Sequence, residues 1–157
     1  MVQSKLKQVL ENHTLAEPER VYIVQSNDSS LIIFGTIKNA ERLMGSEEWM
    51  MDVPSLYKQM VTIIGKKYNR RFSLIYVLIV NKTADSYETM WNEITKICCL
   101  NKIEINESPK IHLDFEMAMI TSFNKIFPDG EVMHCLFHLG QSVFLKNSTA
   151  GTNARVP

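Results

Sequence analysis

The sequence predicts a mixed α/β domain, on the basis of its length, its composition and the order of its apolar segments. The chain has 157 residues, of which 45% are hydrophobic and 22% are charged. These values are typical of one globular domain rather than of a disordered chain or a coiled coil. The central apolar segments give a three-strand meander and then strands that alternate with helices, an order that predicts a mixed sheet with helices on its faces.

Six apolar segments have the length and composition of strands. They are residues 31–34, 47–52, 60–64, 72–80, 110–114 and 131–136. The segment from Phe72 to Val80 is apolar almost throughout, which is typical of a strand covered on both faces. The polar segment 65–71 precedes it, so we expect Gly65 to close the preceding strand and the two runs to form an antiparallel hairpin.

Helical spacing of apolar residues predicts a short helix at 37–44 and a longer one along the stripe from Tyr87 to Cys98. Asp85 and Glu88 have the spacing of a capping box at the start of the longer helix. A further helix is predicted over 115–127, before a Pro-Asp-Gly turn, and another begins at Gln141.

The chain divides by composition into a polar N-terminal extension at 1–30, a domain at 31–146 and a small, polar tail at 147–157 that we expect to be disordered. The longest uninterrupted apolar run has seven residues, whereas a membrane span needs about 20. No secretory signal is visible. Three cysteines, two of them adjacent, favour a reducing, intracellular compartment over a disulfide framework.

The charge balance excludes a polybasic arm, because 17 basic residues match 17 acidic residues. Any contact with nucleic acid must therefore come from a local patch. The candidate phosphate contacts are Lys66, Lys67, Arg70 and Arg71 in the predicted hairpin turn. The alternative is that this turn is simply solvated.

Two acids end two predicted strands, Asp52 on the first strand of the meander and Asp114 on the strand after the long helix. If these strands are neighbours, both carboxylates lie at one edge of the sheet, where they could hold one or two Mg²⁺ ions. The alternative is that both acids are solvated or cap a helix, and Asp114 in particular precedes the helix at 115–127.

Seven segments, in this order, resemble the transposase domain of Mutator-like elements (MULE). They are Trp49 to Asp52, Pro54 to Gln59, Tyr76 to Leu78, Ser86-Tyr87, Asp114 to Glu116, Phe127-Pro128 and Cys135 to His138. The resemblance extends from about Leu31 to Leu145. It implies an RNase H-like core of the DDE superfamily, which uses three catalytic acids.

The resemblance also implies residue roles. Asp52 would be the first catalytic acid and Asp114 the second, and both would bind Mg²⁺ or Mn²⁺. Cys135 and His138 would form the Cys-x-x-His motif of the family. The reaction would be metal-dependent cleavage and strand transfer at transposon ends, with DNA as partner and the nucleus as location.

The sequence departs from the family pattern at two places that bear on catalytic activity. Asp52 is followed directly by Val53-Pro54, so the turn after it is shorter than usual. The third acid should lie beyond the Cys-x-x-His motif, but no Asp or Glu follows Glu131. We therefore expect an N-terminal portion of the domain that stops before the last helices and is catalytically incomplete.

Three alternatives stay open at this point. Cys135 and His138 could bind zinc, but structural sites usually pair two such motifs, so a buried thiol and a hydrogen-bonded imidazole are favoured and zinc is not expected. The chain could be a non-catalytic DNA- or protein-interaction module derived from a transposase. It could also be an unrelated α/β domain in which both aspartates are caps.

Overall fold

The structure, a computed structural model, describes residues 21–25, 31–53, 60–114 and 116–134. The strands are β1 (Val21–Gln25), β2 (Leu31–Thr36), β3 (Glu48–Asp52), β4 (Met60–Lys67), β5 (Arg70–Ile79), β6 (Lys110–Leu113) and β7 (Glu131–His134). The helices are α1 (Ile37–Met44), α2 (Ala84–Leu100) and α3 (Met117–Ile126). Each predicted strand and helix within these ranges is present. The helix predicted from Gln141 and the tail lie outside them.

The described strands form one mixed sheet in the order β1-β2-β5-β4-β3-β6-β7. Neighbours from β1 to β3 along this order are antiparallel. β3 pairs with β6 in parallel, and β6 pairs with β7 in parallel. The predicted meander β3–β4–β5 and the mixed sheet are therefore confirmed.

β1 was missed by the sequence analysis, which assigns its residues to the polar extension. All five of its residues pair with β2. The segment Val21-Tyr22-Ile23-Val24 has strong strand propensity. The segment is short and flanked by polar residues, so the average polarity of residues 1–30 does not predict a strand there.

The core lies on one face of the sheet, and all three described helices contribute buried residues to it. Trp49 and Met51 of β3 are buried, whereas Met50 and Asp52 alternate with them on the opposite face. The Trp49 ring stacks on Trp91 of α2 at 5.9 Å between ring centroids. The Trp49 indole donates to the Leu43 carbonyl at 2.7 Å. These contacts fix β3, and with it the position of Asp52 at its end.

The prediction that β5 is covered on both faces is wrong. Ile75, Val77 and Ile79 are buried, but the alternate residues Tyr76 and Leu78 are each 41% exposed. The physical reason is that the described helices cover one face only, so an apolar strand can expose every second side chain.

The predicted position of the hairpin turn also needs correction. β4 continues through Gly65 to Lys67, and β5 begins at Arg70. The turn is only Tyr68 and Asn69, with φ values of 50° and 58°. Two successive positive φ values are typical of the tight turns that match the twist of a hairpin.

Two predicted caps differ from the structure. The N-cap of α2 is Thr83, whose hydroxyl accepts from the Ser86 amide at 3.2 Å, so Asp85 lies in the first turn. The N-cap position of α3 is Glu116. Asp114 precedes that position by two residues, so the N-cap alternative for Asp114 is wrong.

Candidate active site

Asp52 and Asp114 follow two neighbouring parallel strands. In the pairing of β3 with β6, Trp49 is opposite Ile111 and Met50 is opposite His112. Continuing this register by two residues brings Asp52 opposite Asp114. Backbones of neighbouring strands lie about 4.8 Å apart, so both acids lie at the same edge of the sheet. We call this place the acid edge, defined by Asp52 and Asp114.

The two acids differ in their surroundings. Asp52 is exposed, and its side chain has no hydrogen bond or ion pair with the part of the chain that is described. Asp114 is half-buried, and its charge acts on the Tyr87 hydroxyl of α2. The pair therefore combines one carboxylate open to solvent with one held against the protein.

Tyr87 and Glu116 form a hydrogen-bonded pair beside the acid edge. The Tyr87 hydroxyl lies 3.4 and 3.5 Å from the two Glu116 carboxylate oxygens and donates to them. Burial, the negative charge of Glu116 and then that of Asp114 raise the pKa of Tyr87 far above its usual range. The hydroxyl stays protonated, so it adds no charge to an edge that already carries several carboxylates.

The chemistry of this donor set fits Mg²⁺ or Mn²⁺. Carboxylate oxygens are hard ligands, and Mg²⁺ is usually bound by one or two carboxylates together with water and substrate phosphates. Within residues 21–25, 31–53, 60–114 and 116–134, no group of three or more His, Cys, Asp or Glu side chains could hold a metal ion. A metal ion at the acid edge would therefore have at most two of these side chains as ligands.

A third carboxylate on β3, Glu48, is neutralised by the protein itself. Glu48 accepts from Lys66 Nζ at 3.0 Å and from His112 Nε2 at 2.9 Å. The hydrogen bonds of His112 and of Lys66 hold the pKa of the Glu48 carboxyl below its usual range. Because its oxygens are already bound to two donors, Glu48 is a structural residue.

The basic cluster lies at the other end of the sheet. Asp52 is opposite Thr62 of β4, and Tyr68 follows Thr62 by six residues, or about 20 Å of extended strand. The four candidate phosphate contacts at the hairpin are therefore remote from the acid edge. Lys66 is bound to Glu48, which leaves Arg70 and Arg71 as the exposed members.

The sequence analysis missed two of these partners. Tyr87 was read only as a core residue, and it is buried, but its hydroxyl reaches the acid edge. The available signal was its place in the first turn of α2, which follows β5 at that edge. His112 gave a weaker signal, since it precedes Asp114 by two residues and shares its face of the strand.

The cysteines divide between described and undescribed parts of the chain. Cys135 and His138 lie outside the described residues, so their predicted motif stays a prediction. Cys98 and Cys99 are free cysteines. Burial raises the pKa of the Cys98 thiol to about 11, which makes it an unreactive core residue.

The described residues form a mixed α/β domain in which Asp52 and Asp114 follow two adjacent parallel strands. The family profile described as MULE transposase domain matches residues 55–142, which is more than half of the chain. The protein therefore belongs to the MULE transposase domain family and is transposase-derived. The matched segment includes Asp114, Cys135 and His138, whereas Asp52 lies three residues before it.

Other comparisons add no relative, since no curated protein and no solved structure matches the chain. Among the described helices, none is long and apolar enough to cross a membrane.

Proposed function

We propose that this chain is part of a MULE-type transposase domain and supplies two of the acids with which such transposases bind metal and cleave DNA phosphodiesters. The observation that carries the proposal is the parallel pairing of β3 with β6, whose register, continued by two residues, would bring Asp52 opposite Asp114. The RNase H-like core is part of the proposal. It is supported by the three-strand meander β3–β4–β5, whose first strand pairs in parallel with the strand that follows α2.

In this proposal Asp52 and Asp114 would hold Mg²⁺ or Mn²⁺, which supplies Lewis-acid polarisation of a phosphodiester oxygen. Two neighbouring carboxylates repel each other and also repel a phosphate. A divalent cation held by Asp52 and Asp114 would offset both repulsions. The exposure of Asp52 leaves the edge open to a molecule as large as DNA.

The protonated Tyr87 has a positioning role in the same proposal. It donates to Glu116, so this third nearby carboxylate is oriented toward the helix layer. Glu116 is the N-cap residue of α3 and follows Asp114 by two residues. Tyr87 would therefore keep Glu116 from competing with Asp52 for the ion.

We also propose that the described residues do not complete a three-acid set, which would make a catalytically incomplete domain. The second candidate function, a non-catalytic DNA- or protein-interaction module, is favoured by the same observation. A nuclear location is part of the proposal, because the resemblance to MULE transposases implies it.

A DNA nicking assay with Mg²⁺ or Mn²⁺ tests the proposal. If the chain cleaves DNA, Asp52→Asn and Asp114→Asn should each lower the rate by about 10²–10³-fold, because each removes a ligand worth several kcal/mol in the transition state. The matched control is Asp129→Asn, which removes an exposed acid in the turn after α3 and should leave the rate unchanged.

The outcomes separate the two functions. Cleavage that survives Asp114→Asn would overturn the role of the acid edge. Binding of DNA without cleavage under either metal would support the interaction module and the incomplete acid set.

A further inference from the structure

The tip of the β4–β5 hairpin carries two like-charge pairs across its strands. Lys66 is opposite Arg71, and Lys67 is opposite Arg70. Like charges directly opposite each other destabilise a sheet. Glu48 neutralises Lys66, but the side chains of Arg70 and Arg71 make no hydrogen bond or ion pair with any residue that the structure describes. The Glu47 carboxylate also lies at the tip, where it accepts from the Tyr68 amide at 3.3 Å. The four basic side chains of the tip still outnumber these two carboxylates, so the tip carries an excess of positive charge on a chain of zero net charge.

Tyr68 occupies an unusual place at this tip. Its φ is 50°, a left-handed conformation that is rare for bulky residues, and its ring is 81% exposed. Turns of this kind favour Asn or Gly, so Asn69 fits the backbone but Tyr68 does not. Large residues held in sparsely populated conformations cluster at binding sites.

The hairpin is also accessible along one side. β2 pairs with β5 only as far as Phe34 opposite Tyr76. Among the described residues, the segment from Arg70 to Ser73 therefore has no strand partner on the β2 side, and all four of its residues are exposed. A ligand can reach both arginines and Tyr68 together.

We propose that the hairpin tip, defined as residues 66–72, is a nucleic-acid contact in which Arg70 and Arg71 bind phosphates and Tyr68 stacks on an unpaired base. Guanidinium groups bind phosphate through paired, charge-assisted hydrogen bonds. Exposed aromatic rings are stacking platforms for the bases of single strands, whichever base is present. Both groups that such a strand needs lie within three residues of each other.

This contact goes beyond the proposed function, because it lies about 20 Å along β4 from the acid edge and needs no metal ion. It would hold a single-stranded segment several nucleotides away from the acids. Binding at the tip and cleavage at the acid edge can therefore be measured separately.

Fluorescence anisotropy with a labelled single-stranded oligonucleotide, and with a duplex of the same sequence, tests the proposal in the presence of EDTA. We expect the full chain to bind the single strand more tightly. The double variant Arg70→Ala/Arg71→Ala should lower the salt-dependence slope for the single strand by about 1.4, since each phosphate contact contributes about 0.7.

The variant Tyr68→Asn separates an effect on oligonucleotide binding from an effect on the stability of the fold. It should weaken single-strand binding about tenfold and leave duplex binding nearly unchanged, because only an unpaired base can stack on the ring. Asparagine also suits the left-handed turn, so the midpoint of thermal unfolding should stay the same or rise. A loss of affinity without a loss of stability would support the proposal.

The control Lys96→Ala/Lys125→Ala removes the same number of charges from exposed positions on α2 and α3. It should change affinity by less than about twofold. The proposal is overturned if this control weakens binding as much as the arginine variant, or if Tyr68→Asn binds the single strand like the parent chain. An arginine variant that aggregates but binds normally would also overturn it, since the arginines would then only protect a strand edge.

Asp114→Asn should leave oligonucleotide binding at the tip unchanged. If cleavage is lost in that variant while binding persists, the acid-edge function and the hairpin contact both stand. If the hairpin variants bind normally while Asp114→Asn loses cleavage, only the hairpin proposal fails.

Discussion

β3 carries a carboxylate at each end, on the same face of the sheet, and the two have opposite surroundings. Glu48 binds Lys66 and His112, both supplied by neighbouring strands. Asp52 is exposed and lies opposite another acid, Asp114, when the β3–β6 register is continued. The difference separates a carboxylate that stabilises the sheet from one that no described side chain neutralises.

The largest effect on stability is expected where β4 pairs with β3. Gly65 of β4 is opposite Trp49, and a Cβ there would lie 2.8 Å from Leu74 Cδ1 and also collide with the Ser46 hydroxyl. Gly65→Ala should therefore lower the free energy of unfolding by about 1–3 kcal/mol, the usual cost of overpacking. Urea denaturation measures this change.

Gly45→Ala is the matched control for that variant. Its φ of −85° suits any residue, and a Cβ there makes only ordinary contacts of 3.5 Å or more. Its free energy of unfolding should stay within about 0.5 kcal/mol of the parent chain. Equal stability of the two variants would show that β3 and β4 are not packed as tightly as described.

The next effect concerns the neutralised end of β3. Glu48→Gln should lower the free energy of unfolding by about 0.5–1 kcal/mol at neutral pH, because it removes the partly exposed ion pair with Lys66 and weakens the hydrogen bond from His112. The pKa of the Glu48 carboxyl is lowered in the folded chain, so its contribution is present above about pH 4.5 and is lost as pH falls through the folded-state pKa.

Urea denaturation of the parent chain and of Glu48→Gln at neutral and at strongly acidic pH checks this dependence. The stability difference between them should shrink toward zero in acid. A difference that stays constant across pH would assign the loss to packing rather than to charge.

The smallest effect has the opposite sign and concerns the acid edge. Without divalent ions, Asp52→Asn should raise the free energy of unfolding by about 0.2–0.5 kcal/mol, because it removes the repulsion between opposed like charges. Added Mg²⁺ should stabilise the parent chain but not the variant, since only the parent binds the ion in its folded state. A lower free energy of unfolding for Asp52→Asn in metal-free buffer would show that Asp52, like Glu48, stabilises the folded chain.

The sequence predicted the elements that position the acids because those elements depend on local patterns. The apolar run before Asp52, the stripe of α2 and the short strand before Asp114 each have a period that is visible within a few residues. The position of the hairpin turn could not be predicted in the same way. A glycine often ends a strand, whereas Gly65 lies within β4, opposite Trp49.

The partners of each charge could not be predicted from the sequence. Glu48 is 18 residues from Lys66 and 64 residues from His112, so only strand pairing brings them together. The same holds for Tyr87 and Glu116, which are 29 residues apart. The exposure of alternate residues in β5 likewise depends on which face the helices cover, which local periodicity does not specify.

Mn²⁺ titration followed by NMR tests most directly whether Asp52 and Asp114 share a divalent ion. The paramagnetic ion should first broaden the amide signals of Asp52 and Asp114, and much less that of Tyr68, which lies about 20 Å along β4 from the acids. Asp52→Asn and Asp114→Asn should each abolish this pattern. Broadening that persists in both variants, or that centres away from the ends of β3 and β6, would contradict the shared site.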